Sequence, residues 1–295
     1  MRDGIIIKAL SGFYYVETSD GVLECKARGR FRLDGTSPLV GDRVKCSLDA
    51  NGKGRIDELS ERKNFFIRPA VANVDALVFV AANTNPVTDP FLIDRVSVIA
   101  ECAKCELIIC INKTDIDAAD ELYDTFSAVG YTVVRTSAKT GEGIDELRRA
   151  ISGKVCAFTG NSGVGKSSIL NVLLPNANIK TAEVSERLGR GKHTTRHVEL
   201  FDLGQGSYAA DTPGFASFDI EMMETIPKEE LQYYFPDFDP YIGRCRFNDC
   251  AHLKEPGCAV TEALAAGRLM PSRYRSYERL YELCAQHKFW ENKEN

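Results

Sequence analysis

The chain has 295 residues, 37 Lys and Arg against 42 Asp and Glu, a formal charge of −5, and 44% hydrophobic residues. That length predicts about two domains with a real core, and no run approaches the roughly 18–20 apolar residues of a membrane span. The apolar stretch after Met1-Arg2-Asp3-Gly4-Ile5 is too short for a signal peptide.

Residues 1–64 carry five short alternating runs, at Gly4–Lys8, Phe13–Val16, Val22–Lys26, Asp42–Cys46 and Arg55–Leu59. Glycine- or aspartate-bearing turns separate them. Five strands without a helical pattern predict a small β-barrel of the OB type. Residues 1–68 hold thirteen Lys and Arg against ten Asp and Glu. Lys26, Arg28, Arg30 and Arg32 alternate around Phe31, so a strand continued here would show four cations on one face. Two readings fit that patch: a nucleic-acid face, or an edge strand guarded by charge.

The pattern changes at about residue 65. The runs Asp75–Ala82 and Leu107–Ile111 predict buried parallel strands, with a helical stretch Ile93–Cys105 between them. Cys102 and Cys105 form a CxxC without a second pair and read as partly buried helix cysteines. Asn112-Lys113-Thr114-Asp115 follows the second strand, and Ser137-Ala138-Lys139 begins 22 residues beyond Asp115. The Asp115 carboxylate can accept from the N1–H and exocyclic amine of guanine. Adenine has no donors there, and stranding a buried polar group rejects a substrate effectively. Asn112 is expected on the other edge of the base, Lys113 along the ring, and the Ala138 N–H at the O6 oxygen. Thr114, Ser137 and Lys139 belong to the same two loops and are assigned to the nucleotide with them.

Val155–Thr159 predicts another buried strand, and Ile169, Leu170, Val172, Leu173 and Leu174 fall on a helix after it. Between them stands Gly160-Asn161-Ser162-Gly163-Val164-Gly165-Lys166-Ser167, followed by Ser168. This strand, loop and helix context is what a phosphate-binding loop requires. Its glycines let backbone N–H groups point at phosphate oxygens, and the helix N-terminus adds a favourable dipole. Lys166 is expected at the β- and γ-phosphates and Ser167 at Mg²⁺. Gly189–Thr195 reads as a glycine-punctuated switch, with Thr195 as a Mg²⁺ ligand and Thr194 the alternative. His193 is the nearest polar candidate to orient an attacking water; a solvated loop histidine fits equally. After Tyr208–Ala210 comes Asp211-Thr212-Pro213-Gly214. Asp211 is expected to hold Mg²⁺ through water, and the Gly214 N–H to sense the γ-phosphate. The next residue is Phe215, which cannot orient water as a glutamine does. Slow intrinsic turnover that depends on a partner is therefore expected.

Ten cysteines could suggest a disulfide scaffold, but Cys110 and Cys156 lie in predicted core strands. A nucleotide enzyme of this kind belongs in the cytosol, where thiols stay reduced. Cys245, Cys250, His252 and Cys258 fall within fourteen residues. Three thiolates and an imidazole make a closed tetrahedral zinc set with no catalytic opening. Beyond it Tyr274, Tyr277, Leu280, Tyr281 and Cys284 recur at helical spacing, a stripe expected to pack on the zinc module. Arg273, Arg275, Arg279 and Lys288 are interspersed, which leaves arginines on other faces available for phosphates.

The base-binding motifs precede the phosphate loop, the reverse of an ordinary GTPase. With this order, the GNSGVGKSS loop, GRGKHTTRH, DTPGF and CRFNDCAHLKEPGC, the whole chain resembles the RsgA (YjeQ/YloQ) family of circularly permuted bacterial GTPases. The resemblance implies an α/β fold: a central circularly permuted P-loop GTPase domain at 65–219, an N-terminal OB-type β-barrel at 1–64, and a C-terminal α-helical zinc-binding domain at 220–295. It implies a monomeric cytoplasmic enzyme, without membrane contact, that uses GTP, Mg²⁺ and one structural Zn²⁺. It also implies binding to the small ribosomal subunit and its rRNA, stimulation there, and release coupled to hydrolysis to GDP and phosphate. The family has a hydrophobic residue in the glutamine position, matching Phe215, and its switch histidine, matching His193, has been considered catalytic. A GTP-regulated rRNA-binding factor with incidental turnover is the alternative. Because Asp211–Gly214 ends the GTPase domain, loss of the γ-phosphate is expected to shift the zinc module against the barrel.

Overall fold

The computed structural model describes residues 1–29, 31, 36–49, 52–67, 70–174, 198–211, 223 and 225–286, with residue 211 described by its backbone. The five N-terminal runs all form strands: β1 (Arg2–Leu10), β2 (Phe13–Thr18), β3 (Gly21–Ala27), β4 (Arg43–Leu48) and β5 (Gly54–Leu59). Strand β1 pairs with β2, β2 with β3, β3 with β5 in parallel, β5 with β4, and β4 back to β1, which closes a barrel. Alternation fills it: Ile6, Val16, Cys25, Cys46 and Ile56 are buried completely. One expectation changes here. Strand β3 stops at Ala27, and the Arg28 guanidinium turns to the buried Asp57 carboxylate at 2.7 Å. A cation satisfied inward is not one of a row on an outer face; Arg30 and Arg32 lie outside the described residues.

A short hairpin, β6 (Phe65–Phe66) and β7 (Val71–Ala72), leads out of the barrel. The next strands are β8 (Ala76–Ala81), β9 (Glu106–Ile111), β10 (Thr132–Arg135), β11 (Val155–Thr159), β12 (Glu199–Gly204) and β13 (Ser207–Asp211). They lie in the order β10-β9-β8-β11-β13-β12, parallel except for β12 against β13. The chain runs outward from β8 to β10, then returns to place β11 beside β8. That reversal puts a crevice at the carboxyl ends of β8 and β11, where open α/β sheets bind ligands.

Side chains of β8 and β9 alternate between the two faces. Leu77, Phe79, Leu107 and Ile109 pack under α1 (Pro90–Cys102) and α2 (Asp120–Val129). Val78, Val80, Ile108 and Cys110 pack under α3 (Ile144–Ala150) and α4 (Lys166–Leu173). Both faces are covered, which is why these strands read as unbroken apolar runs. Helix α1 ends at Cys102, and Lys104 has a φ of +52°, so Cys105 lies past the helix rather than on it.

The barrel and the central sheet are one sheet. Strand β1 pairs antiparallel with β12 at Lys8 and Glu199, and eleven strands become continuous. The Lys8 ammonium meets the Glu199 carboxylate at 3.0 Å, and the Tyr208 hydroxyl donates to Glu17. The ion pair is a third exposed on each side, so Lys8→Ala is expected to cost under about 1 kcal/mol. Urea unfolding would check it.

The C-terminal segment holds α5 (Ala259–Ala265) and α6 (Pro271–Gln286). The Tyr274–Cys284 stripe packs as expected, with the Tyr274 hydroxyl donating to the His252 carbonyl at 2.8 Å. Arg273 does not. It is completely buried, donating to Asp94 of α1 at 2.7 Å and to Asp237 at 2.6 Å. It fastens α6 to α1 and is not available to a phosphate.

Candidate functional site

The phosphate loop leaves β11 at the crevice predicted by the strand order. Gly160 has a φ of +131°, and a Cβ there would stand 2.2 Å from the Val80 carbonyl oxygen. Gly165 precedes α4 with a φ of +98°, and its Cβ would stand 2.2 Å from the Asn112 amide nitrogen. Only glycine lets the backbone take these turns so close to its neighbours. Gly165→Ala is expected to cost about 2 kcal/mol and to weaken nucleotide retention, read by thermal unfolding and fluorescent GDP binding.

The residues of the loop differ in exposure. Val164 is buried, while Ser162, Gly163 and Ser168 are exposed; Asn161 and Ser167 are half-buried. Lys166 folds back to donate to the Gly160 and Asn161 carbonyls at 2.6 and 2.7 Å. Burial lowers its pKa from the usual lysine value, so an anion placed in the loop would restore its proton affinity.

Asn112 joins the base loops to the phosphate loop. Its amide donates to the Val164 carbonyl at 2.9 Å, and its oxygen accepts from the Ala138 N–H at 3.0 Å. In this structure the Asn112 amide N–H is thus taken up by Val164, and the Asn112 oxygen and the Ala138 N–H by each other. Lys113 donates to the Gly163 carbonyl at 2.8 Å and also to the Asn85 carbonyl. Thr114 is tied to the Thr136 carbonyl through its hydroxyl at 2.9 Å. The Ser137 hydroxyl donates to one Asp115 oxygen at 2.8 Å, and the Lys139 ammonium faces the other at 3.8 Å. One carboxylate oxygen is therefore held in place, which fixes the orientation of the other.

His193, Thr194, Thr195, Gly214 and Phe215 lie outside the described residues, as does the side chain of Asp211. The backbone of Asp211 ends β13, which pairs with β11. Sequence reasoning missed the loop after β8. Pro86 lies 3.2 Å from where a Cβ of Gly163 would stand, and Lys113 binds the carbonyls beside it. The Asn85-Pro86 dipeptide is a turn signal, but nothing in it identifies the turn as a wall of the crevice.

The second candidate site is Cys245, Cys250, His252 and Cys258, whose ligand atoms all lie within 4.8 Å of one another. Cys245 and Cys258 sulfurs are 3.9 Å apart, and each is 3.5 Å from the His252 Nδ1. Zinc bonds of about 2.3 Å to sulfur and 2.0 Å to nitrogen give tetrahedral edges of about 3.8 and 3.5 Å. The donor set fits that ion. The His252 Nε2 sits 2.8 Å from the Gln232 amide oxygen, which leaves Nδ1 for the metal when Nε2 carries the proton. Glu255 accepts from the N–H groups of Ala251, Leu253 and Lys254 and braces the knuckle. Neither Gln232 nor Glu255 belongs to a recognisable spacing, so the sequence did not single them out.

The chain is similar to known proteins along most of its length. Residues 59–221 match the family description RsgA GTPase, and residues 3–56 match RsgA N-terminal domain. A curated relative from Caldanaerobacter subterraneus, "Small ribosomal subunit biogenesis GTPase RsgA", is 47% identical over 277 residues, covering 93% of this chain and 92% of its own. The crystal structure of YjeQ from Thermotoga maritima is similar with a TM-score of 0.83 and 37% identity, covering 97% of this chain and 99% of that one. The crystal structure of YloQ, a circularly permuted GTPase, is similar with a TM-score of 0.80 and 37% identity, covering 98% of this chain and 96% of that one. With its base loops ahead of a phosphate loop, its closed barrel and its three-cysteine, one-histidine knuckle, this chain belongs to the RsgA GTPase family.

Proposed function

We propose that this GTPase acts in the late maturation of the small ribosomal subunit, binding it and leaving it as GTP is hydrolysed to GDP and phosphate. The observation that carries the nucleotide site is the Asn112 bridge, which locks base loop and phosphate loop into one cradle. In it Asp115 reads the guanine edge, with Asn112, Lys113, Thr114, Ser137, Ala138 and Lys139 shaping that end. Gly160 to Ser168 receives the phosphates, with Lys166 at the β- and γ-oxygens. Ser167 and Thr195 are the proposed protein ligands of Mg²⁺, and Asp211 holds it through water. The ion, when bound, offsets charge on the phosphate oxygens. His193 is the proposed water-orienting residue, Thr195 and Gly214 the γ-phosphate contacts.

The three modules are taken as residues 1–64, 65–219 and 220–295, working as a cytoplasmic monomer with one structural zinc at Cys245, Cys250, His252 and Cys258. The barrel is the proposed rRNA contact. Its Lys26 ammonium lies 4.9 Å from the Phe13 ring centroid, a pairing suited to a phosphate beside a stacked base. GTP turnover measured with and without isolated small subunits tests the function. Strong stimulation by the small subunit alone supports it; turnover indifferent to both subunits overturns it.

Base recognition has its own test. In Asp115→Asn the Ser137 hydroxyl keeps its acceptor, so the new amide N–H takes the place of the second oxygen. It would face the donors of guanine but match a purine with a carbonyl at that carbon, such as xanthine. GTP affinity is expected to fall roughly 100-fold, the effect of about 3 kcal/mol for a mismatched buried pair, while XTP affinity rises. Competition binding of the two nucleotides checks it.

A further inference from the structure

Given the nucleotide site proposed above, on which this inference rests, we propose that α6 acts on that site through the first turn of α1. Arg279 is the positioning residue. Its guanidinium carbon lies 3.7 Å from the Phe91 ring centroid, and Nη1 is 3.9 Å from Asp89. The ion pair is more than half exposed on both sides and contributes little. The cation–π contact with Phe91 carries the interaction.

Asp89 and Phe91 are the start of α1: the Asp89 carboxylate caps the Phe91 N–H at 3.0 Å. One residue earlier, Thr88 closes the loop from β8. Its N–H donates to the Ala82 carbonyl at 2.8 Å, and its hydroxyl accepts from the Ala82 N–H at 2.9 Å. Asn83 and Val87 form an antiparallel bridge inside that closure. The loop therefore moves as one piece with the helix start. Its far side backs Gly163 with Pro86 and shares the Lys113 ammonium with the Gly163 carbonyl. A shift of the first turn of α1 would move a wall of the phosphate loop and the lysine beside the guanine-reading Asp115. The knuckle orients α6 in turn, since the Tyr274 and Tyr277 hydroxyls donate to the His252 and Ala251 carbonyls. This path reaches the nucleotide without passing through residues 189–214.

The test is the dissociation rate of fluorescent GDP from the full chain, with zinc content measured in parallel. Arg279→Ala is expected to speed release about fivefold and to raise KM for GTP while kcat stays nearly unchanged. Phe91→Leu removes the same contact from the α1 side and is expected to do likewise. Arg279 does not touch the phosphate loop, so an effect of its own would add to that of Pro86→Ala. If it acts through the loop, Arg279→Ala in the Pro86→Ala background changes release by less than about twofold. Unchanged release in both single variants, or equal factors in the two backgrounds, overturns the inference. Failure of the unmodified chain to hold fluorescent GDP would overturn the nucleotide site itself, and this inference with it.

Discussion

Arg273→Met is expected to lower stability by roughly 3–5 kcal/mol, the loss typical of removing one partner from a buried ion pair. The guanidinium is wholly buried, and its two carboxylate partners come from different modules: Asp94 on α1, and Asp237 from the segment before the knuckle. Burial alone would lower the Arg273 pKa, but Asp94 and Asp237 together overcome it and raise it. The Phe235 ring lies 4.8 Å from the guanidinium carbon and adds a cation–π contact. Methionine keeps much of the volume, so the expected loss comes from leaving Asp94 buried without a counter-charge. Burial raises the Asp94 pKa even in the parent, against the pull of Arg273. Without the arginine it rises further. A carboxyl raised in the folded state favours folding below its unfolded pKa of about 3.9 and loses that contribution as pH climbs through the folded value. The difference between variant and parent should therefore widen from pH 4 to pH 8. Urea unfolding across that range measures it; a difference below about 1 kcal/mol, or one flat in pH, would sink the account.

What could be read before folding was local. The phosphate loop was legible because a short unbroken apolar strand and a helix of period 3.6 flank it, and only glycine fits its turns. The barrel strands were legible by their alternation between turns, and the knuckle because its ligand chemistry drew on Cys and His alone. Residues whose role depends on distant partners were not legible. Arg273 reads as one more cation in a helical stripe, yet its Asp94 partner is 179 residues away. Lys8 and Glu199, which fuse barrel and central sheet, are separated by 191 residues. Asn112 carried the right motif, but no local pattern tells that both ends of its amide bind protein backbone. Arg28 was read on a continued strand, and a buried carboxylate at Asp57 drew it inward instead.

These long-range contacts bear on how the modules could move. The expected shift of the zinc module against the barrel would have to work against two attachments. Arg273 holds α6 on α1, and the β1–β12 pairing holds the barrel on a strand that begins four residues after Thr195. The second attachment is the weaker, with one register pair, Lys8 opposite Glu199, and an ion pair a third exposed. The barrel therefore sits where a change in the switch could reach it at low cost, whereas displacing the zinc module from α1 requires separating a buried charge network.

Removing zinc from the knuckle is expected to cost far more than any substitution above, on the order of 10 kcal/mol of folding free energy for the segment it organises. Regular structure within the knuckle itself is short. Helix α5 spans seven residues, and its N-cap, Cys258, makes no side-chain cap hydrogen bond. The Ala259 N–H points instead at the Cys245 sulfur, 3.3 Å away, a contact strengthened when that sulfur is a metal-bound thiolate. Burial pushes the Cys250 thiol up to about 12, so a cation is needed to hold it deprotonated at neutral pH. Treatment with a tight chelator should release one zinc per chain and expose the amides of residues 245–265 to hydrogen exchange. The anchors of α6 at Ala251 and His252 would loosen with them, while the core strands β8, β9 and β11 should keep their protection. Gln232→Ala gives a graded version, since losing the partner of the His252 Nε2 is expected to weaken zinc binding about 10- to 100-fold. A chelated chain that retains full protection across residues 245–265 would mean the knuckle folds on its hydrogen bonds alone, with Glu255, Tyr274 and Tyr277 sufficient to hold its backbone.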